Sequence, residues 1–192
     1  MTSPNIKSQP KVWTKGPYQI STDTFLIPVV TLNSWFASDE LYWARPMPEP
    51  ALRETLQNSL CFGLYHGPRQ SQADEKAREP NTNAPEFIGF ARCITDSTTF
   101  IYLTDVFILP SHQGSGLGTW LVKCVQEVIE SMPYLRRSLL FTGDWKRSVP
   151  FYEKFMGMKV LECRPPVDGQ KGQGTAVMMR KWKGVPGFEG DT

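Results

Sequence analysis

Histidine is nearly absent from this 192-residue chain, which has only His66 and His112. Cysteine is also scarce: Cys61, Cys93, Cys124 and Cys163 lie far apart, with no C-x-x-C pair. These two shortages exclude the sequential Cys/His spacing of zinc fingers and dithiol redox motifs, so no metal is expected. All four cysteines fall within apolar strand or helix patterns, which predicts buried, reduced thiols. No apolar run approaches the roughly 20 residues needed to span a bilayer. The opening MTSPNIKSQPKVWTKGP lacks the apolar centre of a signal peptide. A formal charge of +2 leaves no electrostatic footprint for nucleic acid. The expectation is therefore a cytoplasmic protein, with the nucleus left open and neither nucleic acid nor membrane as partner. A hydrophobic content of 40% is enough for the core of one domain.

What the chain does have is concentrated between Tyr102 and Val122. Tyr102, Val106, Phe107, Ile108 and Leu109 suit a buried strand, and Pro110 ends it for want of an N–H. Gln113-Gly114-Ser115-Gly116-Leu117-Gly118 forms a loop in which glycine lets backbone approach a ligand closely. Leu117, Trp120, Leu121, Cys124, Val125, Val128 and Ile129 then recur with helical spacing on one apolar face. A strand, a glycine loop and a helix N-terminus together favour a phosphate group. The loop is not a Walker P-loop, because Gly118 is followed by Thr119 and Trp120 rather than Lys and Ser/Thr. It also lacks the glycine spacing of a Rossmann fingerprint.

Taken in order, residues 1–16 read as a flexible arm, 17–182 as one domain and 183–192 as a flexible tail. Tyr18–Thr22 and Phe25–Pro28 read as short strands, Leu32–Trp43 as the start of a helix, and Pro50–Asn58 as a second helix. Leu60–Tyr65, Phe87–Ile94 and Phe100–Leu109 read as three antiparallel strands, with a polar hairpin connection over 66–86. After the long helix come a buried strand over Ser138–Thr142 and a helix with Ser148 as N-cap and Gly157 as C-cap. Met158–Cys163 and Thr175–Arg180 read as a final strand pair.

Gln113, Gly116 and Gly118 fill the fixed positions of Q/R-x-x-G-x-G/A, and the loop resembles the pyrophosphate-binding motif of the GNAT N-acetyltransferases. LCFGLY (60–65), IGFARCITD (88–96), YLTDVFILP (102–110) and FYEKFMGMKV (151–160) extend that resemblance over about residues 32–162. It implies an α/β (α+β) fold with a mixed, mostly antiparallel sheet of about 6–7 strands. Helices would cover both faces, and a central parallel strand pair would splay apart. It further implies acetyl-CoA as donor, with pantetheine paired to backbone at Phe107 and Ile108. The diphosphate would sit on Gln113, Gly114, Ser115, Gly116, Leu117, Gly118 and Thr119. Trp145, Ser148 and Tyr152 would complete the coenzyme contacts, although the family commonly has Asn at the position of Trp145 and a spacing of four rather than five between Tyr152 and Gly157.

The resemblance marks Tyr152 as the acid that protonates the leaving thiolate. The alternative is a tyrosine packed in the core. Asp105, a carboxylate within an apolar strand, is the candidate base; the alternative is a structural Asp bonded to backbone or to an arginine. Asp96, Asp39 and Glu40 are weaker candidates, and Cys93 or Cys61 has no partnering His for nucleophilic catalysis. Trp35, Tyr42 and Trp43 either line an apolar or cation-accommodating acceptor pocket or pack. The expected activity is direct transfer of acetyl to a primary amine of a small molecule within a ternary complex. A protein lysine or N-terminal acetyltransferase and a non-catalytic acyl-CoA-binding module are the alternatives, and a homodimer is left open.

Overall fold

The computed structural model describes residues 9–67 and 85–161. Their order is β1 (Val12–Lys15), β2 (Tyr18–Ser21), α1 (Val29–Phe36), α2 (Glu49–Gln57), β3 (Leu60–His66), β4 (Glu86–Thr95) and β5 (Phe100–Ile108), then α3 (Leu117–Glu130), β6 (Arg137–Leu140) and α4 (Ser148–Met156). Among the described residues the six strands form one sheet in the order β1-β2-β3-β4-β5-β6. Every neighbouring pair is antiparallel except β5 and β6, which run parallel with α3 as their crossover.

The sheet has an apolar cluster on each face. Leu60, Phe62 and Leu64 of β3 join Ile101 and Leu103 of β5 beneath Leu121, Val125 and Val128 of α3. Cys61 and Tyr65 of β3 point the other way, joining Leu32, Trp35 and Phe36 of α1 and Leu52 and Leu56 of α2. Strand alternation sends successive side chains to opposite faces, and the apolar residues on both parities of β3 require a cover on both. The fold class is as expected.

Several local expectations need correction. Val12–Lys15 is not part of a loose arm: it pairs with β2, and Trp13 Nε1 donates to Glu127 Oε2 of α3 at 2.8 Å. Phe25–Pro28 is not a strand, because Thr24–Leu26 is a 3₁₀ turn. Asp23 Oδ1 accepts from the Phe25 N–H at 3.0 Å there, a local bond that competes with a sheet ladder. Helix α1 stops at Phe36 and does not run on to Trp43. Strand β6 is half-buried and stops at Leu140, short of Thr142. Residues 158–161 carry no strand. The second expected strand (175–180), Cys163, the 183–192 tail and most of the 66–86 connection lie outside the described residues.

Candidate active site

The site is organised by a break in strand pairing. Along β4 and β5, Phe90 faces Phe107 but Arg92 faces Thr104, so Ala91 is opposed by both Asp105 and Val106. Asp105 takes up the extra residue with φ of 53°, the left-handed region that Asp tolerates better than most side chains. The bulge reverses the facing of the strand. Ile101 and Leu103 pack towards α3 before it, whereas Ile108 does so after it and Phe107 turns to the α1–α2 side.

Asp105 is held from two directions. Arg92 Nε donates to Oδ2 at 2.7 Å and Thr104 Oγ1 donates to Oδ1 at 3.2 Å, while Arg92 Nη1 reaches Ser59 Oγ at 3.3 Å. Both charged side chains are mostly buried. This is the arginine-bonded alternative of the two readings for Asp105: the carboxylate compensates a guanidinium and has no oxygen without a donor. Arg92 was not singled out from the sequence, although a lone charge inside FIGFARCIT was its signal.

Beyond the bulge the two parallel strands part. Ladder pairing runs from Phe100↔Arg137 to Leu103↔Leu140 and stops, leaving Thr104–Ile108 without a β6 neighbour. On its other side, Gly89 of β4 lies so close that a Cβ there would come within 2.6 Å of Ile108 Cδ1 and 3.1 Å of the Phe107 carbonyl. Phe107 and Ile108 therefore lie on an edge paired to β4 alone.

The loop after β5 is tied back to it. Gln113 Nε2 donates to the Ile108 carbonyl at 2.8 Å, so this side chain braces the loop, and Ser115 Oγ donates to the His112 carbonyl at 2.9 Å. Gly114 and Gly116 both have φ of 79°, with nothing near the space a Cβ would fill. Gly116 is the N-cap of α3 and supplies no side-chain bond. The first N–H to return to the helix is that of Trp120, which donates to the Gly116 carbonyl at 3.0 Å. Among the described residues the amides of 114–119 have no acceptor. Leu117 is buried in the main core and Gly118 packs against Ile108, so the loop residues divide into anchors and open donors.

Tyr152 lies on α4 and packs beside the core cluster that contains Ile108 and Leu117. Its ring meets Phe151 edge-on at 5.2 Å. Burial pushes its hydroxyl up from 10.0 to about 12, and no hydrogen bond from it is found among the described residues. Gly157 closes α4 in a left-handed conformation, as expected. Ser148 is the first helical residue rather than the cap. The turn before it is held by Asp144, whose Oδ1 accepts from the Lys146 and Arg147 amides at 3.1 and 2.9 Å. Trp145 stands in that turn, 66% exposed.

The three aromatics assigned to an acceptor pocket separate. Trp35 is a core residue, stacked on Phe87 at 4.5 Å and tilted against Phe107 at 5.4 Å, so it does not line an open pocket. Tyr42 and Trp43 are 61% and 39% exposed and meet edge-to-face at 5.0 Å. Their segment is fixed by Asn33, which donates to the Met47 carbonyl and accepts from its amide. The Tyr42 hydroxyl lies beside Gly143, just past the end of β6.

Other candidates fall away on geometry. Asp96 accepts from the Thr98, Thr99 and Phe100 amides and from Thr99 Oγ1, bonds that hold its carboxyl well below the usual range. Cys61, Cys93 and Cys124 are buried thiols outside any disulfide. Burial raises the thiols of Cys93 and Cys124, the latter to about 12, which leaves them unreactive at neutral pH.

Comparison with known proteins agrees with this geometry. The profile of the acetyltransferase (GNAT) family matches residues 34–158. A Gibberella zeae protein provisionally described as an acetyltransferase is 38% identical over 175 residues, spanning 89% of this chain and 94% of that protein. Among solved structures, a Xanthomonas campestris protein assigned to the GNAT family aligns with TM-score 0.58 and 29% identity, covering 89% of this chain and 95% of its own. A Staphylococcus aureus protein of unknown function, described as a probable acetyltransferase, shares the fold with TM-score 0.52 at 20% identity, over 86% of this chain and 99% of its own.

Proposed function

Because the chain belongs to the GNAT acetyltransferase family, we propose that it transfers the acetyl group of acetyl-CoA directly to a primary amine of a small molecule. The observation that carries the donor assignment is the row of amides at 114–119, which have no acceptor among the described residues and follow the one-sided edge of β5. Amide donors and the positive end of a 14-residue helix stabilise diphosphate oxygens without any side-chain cation. The edge of Thr104–Ile108 that faces away from β4 suits the amides of pantetheine, and the parting of β5 from β6 gives that arm a place to lie.

In this reading the thioester supplies an acyl carbon that an amine attacks, with loss of the thiolate. Tyr152 supplies the donor hydrogen bond to the departing sulfur. A phenol near 12 remains protonated at neutral pH, so it stabilises the thiolate as a donor. A free thiol has a pKa of about 8.5, so complete transfer from this phenol to a free thiolate would run uphill. The proton released by the attacking amine therefore balances the reaction. Asp105 keeps the bulge and Arg92 in place, and the amine enters as its free base.

Tyr42 and Trp43 present ring faces and edges beside the opening of the sheet, a surface suited to an organic ammonium before it loses its proton. A net charge of +2 supplies no field for drawing in an acidic or basic polypeptide.

The test is thiol release from acetyl-CoA over a panel of small primary amines and lysine-bearing or N-terminal peptides. Small amines should be acetylated, and Trp43→Ala should raise the amine KM while leaving acetyl-CoA affinity unchanged. Acetylation of peptides alone would replace the acceptor assignment. Acetyl-CoA binding with no turnover on any acceptor would overturn catalysis.

A further inference from the structure

The two histidines of the chain, 46 positions apart in a sequence with no metal-binding spacing, converge on one carboxylate. His66 ends β3 and is the cross-strand partner of Glu86, the first residue of β4, so their side chains share one face of the sheet. His112 arrives from the other direction. Where β5 ends, the Leu109 amide donates to the Ile88 carbonyl at 2.9 Å, keeping the chain against β4. The 3₁₀ turn Pro110–His112 then brings the second imidazole over Glu86.

Glu86 Oε2 lies 3.9 Å from His66 Nδ1 and 3.7 Å from His112 Nε2. One ligand atom from each of the three side chains lies within 4.8 Å of the others. These separations exceed a hydrogen bond, so the three groups face one another without bonding. A zinc ion with ligands at 2.0–2.2 Å in tetrahedral geometry sets them about 3.4 Å apart. Rotation of the Glu86 carboxylate, which is 58% exposed, and small turns of the rings close the remaining gap. The rings are already supported: Tyr18 stacks on His66 at 4.9 Å, and the His112 amide donates to the Leu109 carbonyl at 2.8 Å.

We propose that His66, Glu86 and His112 form a binding site for a single zinc-class divalent ion, with water in the fourth position. Two neutral imidazoles select this borderline class over calcium and magnesium, which prefer all-oxygen shells. The ion ties the ends of β3 and β4 to the turn that leads into the 113–118 loop, because Ser115 Oγ donates to the His112 carbonyl. The site stands independently of the acetyl-transfer reading, and its test needs no coenzyme.

The full chain is titrated with Zn²⁺ against a chromophoric chelator, comparing wild type, Glu86→Gln and the double variant His66→Ala/His112→Ala. Far-UV circular dichroism checks the fold of each. Wild type should take up one ion per chain. Affinity should fall at least tenfold in Glu86→Gln, and in the double variant by more than the roughly 10–100-fold that loss of a supporting hydrogen bond costs a metal site. Zn²⁺ should raise the melting temperature of wild type but not of the double variant. Co²⁺ substitution should give visible bands of tetrahedral intensity without thiolate charge transfer. Equal affinity in wild type and the double variant overturns the site, as does a thiolate band, which would place the ion on cysteine. If the double variant does not fold, His112→Gln stands in for it, and unchanged affinity there has the same meaning.

Discussion

Asp105 and Arg92 show how much depends on one pair of side chains. Arg92 reaches Asp105 Oδ2 at 2.7 Å in a mostly buried setting, so replacing either partner leaves the other charge uncompensated. Breaking a buried ion pair typically costs about 3–5 kcal/mol. Arg92→Ala and Asp105→Asn should therefore both lower stability by about 3 kcal/mol, read from the urea midpoint. If Asp105 were instead the base, Asp105→Asn would abolish turnover at neutral pH and recover it as alkaline pH frees the amine, at little cost to stability. Tyr152 makes the complementary case. Tyr152→Phe should lower kcat by about 10²-fold with acetyl-CoA affinity unchanged, the range lost when one donor to a developing charge is removed. Burial raises the folded hydroxyl from 10.0 to about 12, so the native protein holds a proton that the unfolded chain releases across that interval. Its contribution to stability is complete below pH 10.0 and is lost as pH rises through about 12. The same shift means that kcat should show no alkaline fall from Tyr152 below roughly pH 11.

At the scale of elements, the bulge in β5 is the feature that makes a site out of a sheet. It shifts the α3-facing positions from Ile101 and Leu103 to Ile108, and the ladder to β6 stops at Leu103, just before it. Gly89 holds that arrangement from behind. A Cβ at Gly89 would come within 3.1 Å of the Phe107 carbonyl, a backbone atom that cannot swing aside. Gly89→Ala should thus shift the β5 edge and weaken acetyl-CoA binding at least tenfold while the chain remains folded, measured by calorimetric titration. Leaving affinity intact would mean that the edge does not hold the donor. The 113–118 loop was legible in the sequence because every determinant is local: a strand, a proline, glycines and a helical period. The bulge left a trace that was not read, since the apolar parity of FIYLTDVFI slips between Leu103 and Val106. Strand β1 left almost none, being four residues long and mostly exposed. Trp35 and Trp43 look alike in sequence, and only packing against Phe87 and Phe107 separates the core residue from the surface one. The His66–Glu86–His112 convergence depends on strand register, which no spacing rule reports.

At the scale of the whole molecule, the question is whether two apolar clusters on opposite faces make one cooperative unit. They share their central strands. In β3, Phe62 and Leu64 serve the α3 face while Cys61 and Tyr65 serve the α1–α2 face, and β5 divides between Leu103 and Phe107 in the same way. Neither face can lose its cover without exposing apolar surface on strands that the other also needs, so the described residues should melt together. Leu121 and Leu52, both fully buried, probe the two sides. Leu121→Ala and Leu52→Ala should each lower stability by about 2–5 kcal/mol through lost contacts and the cavity left behind. Lying on opposite faces of the sheet without shared partners, their effects should add within about 0.5 kcal/mol. Tryptophan fluorescence, which senses Trp35 on one face and Trp120 on the other, should report the same midpoint as far-UV circular dichroism in both variants. Separate midpoints in Leu52→Ala would show that the α1–α2 layer opens alone. Tyr42 and Trp43 would then sit on a hinged cover over the sheet rather than on its fixed wall.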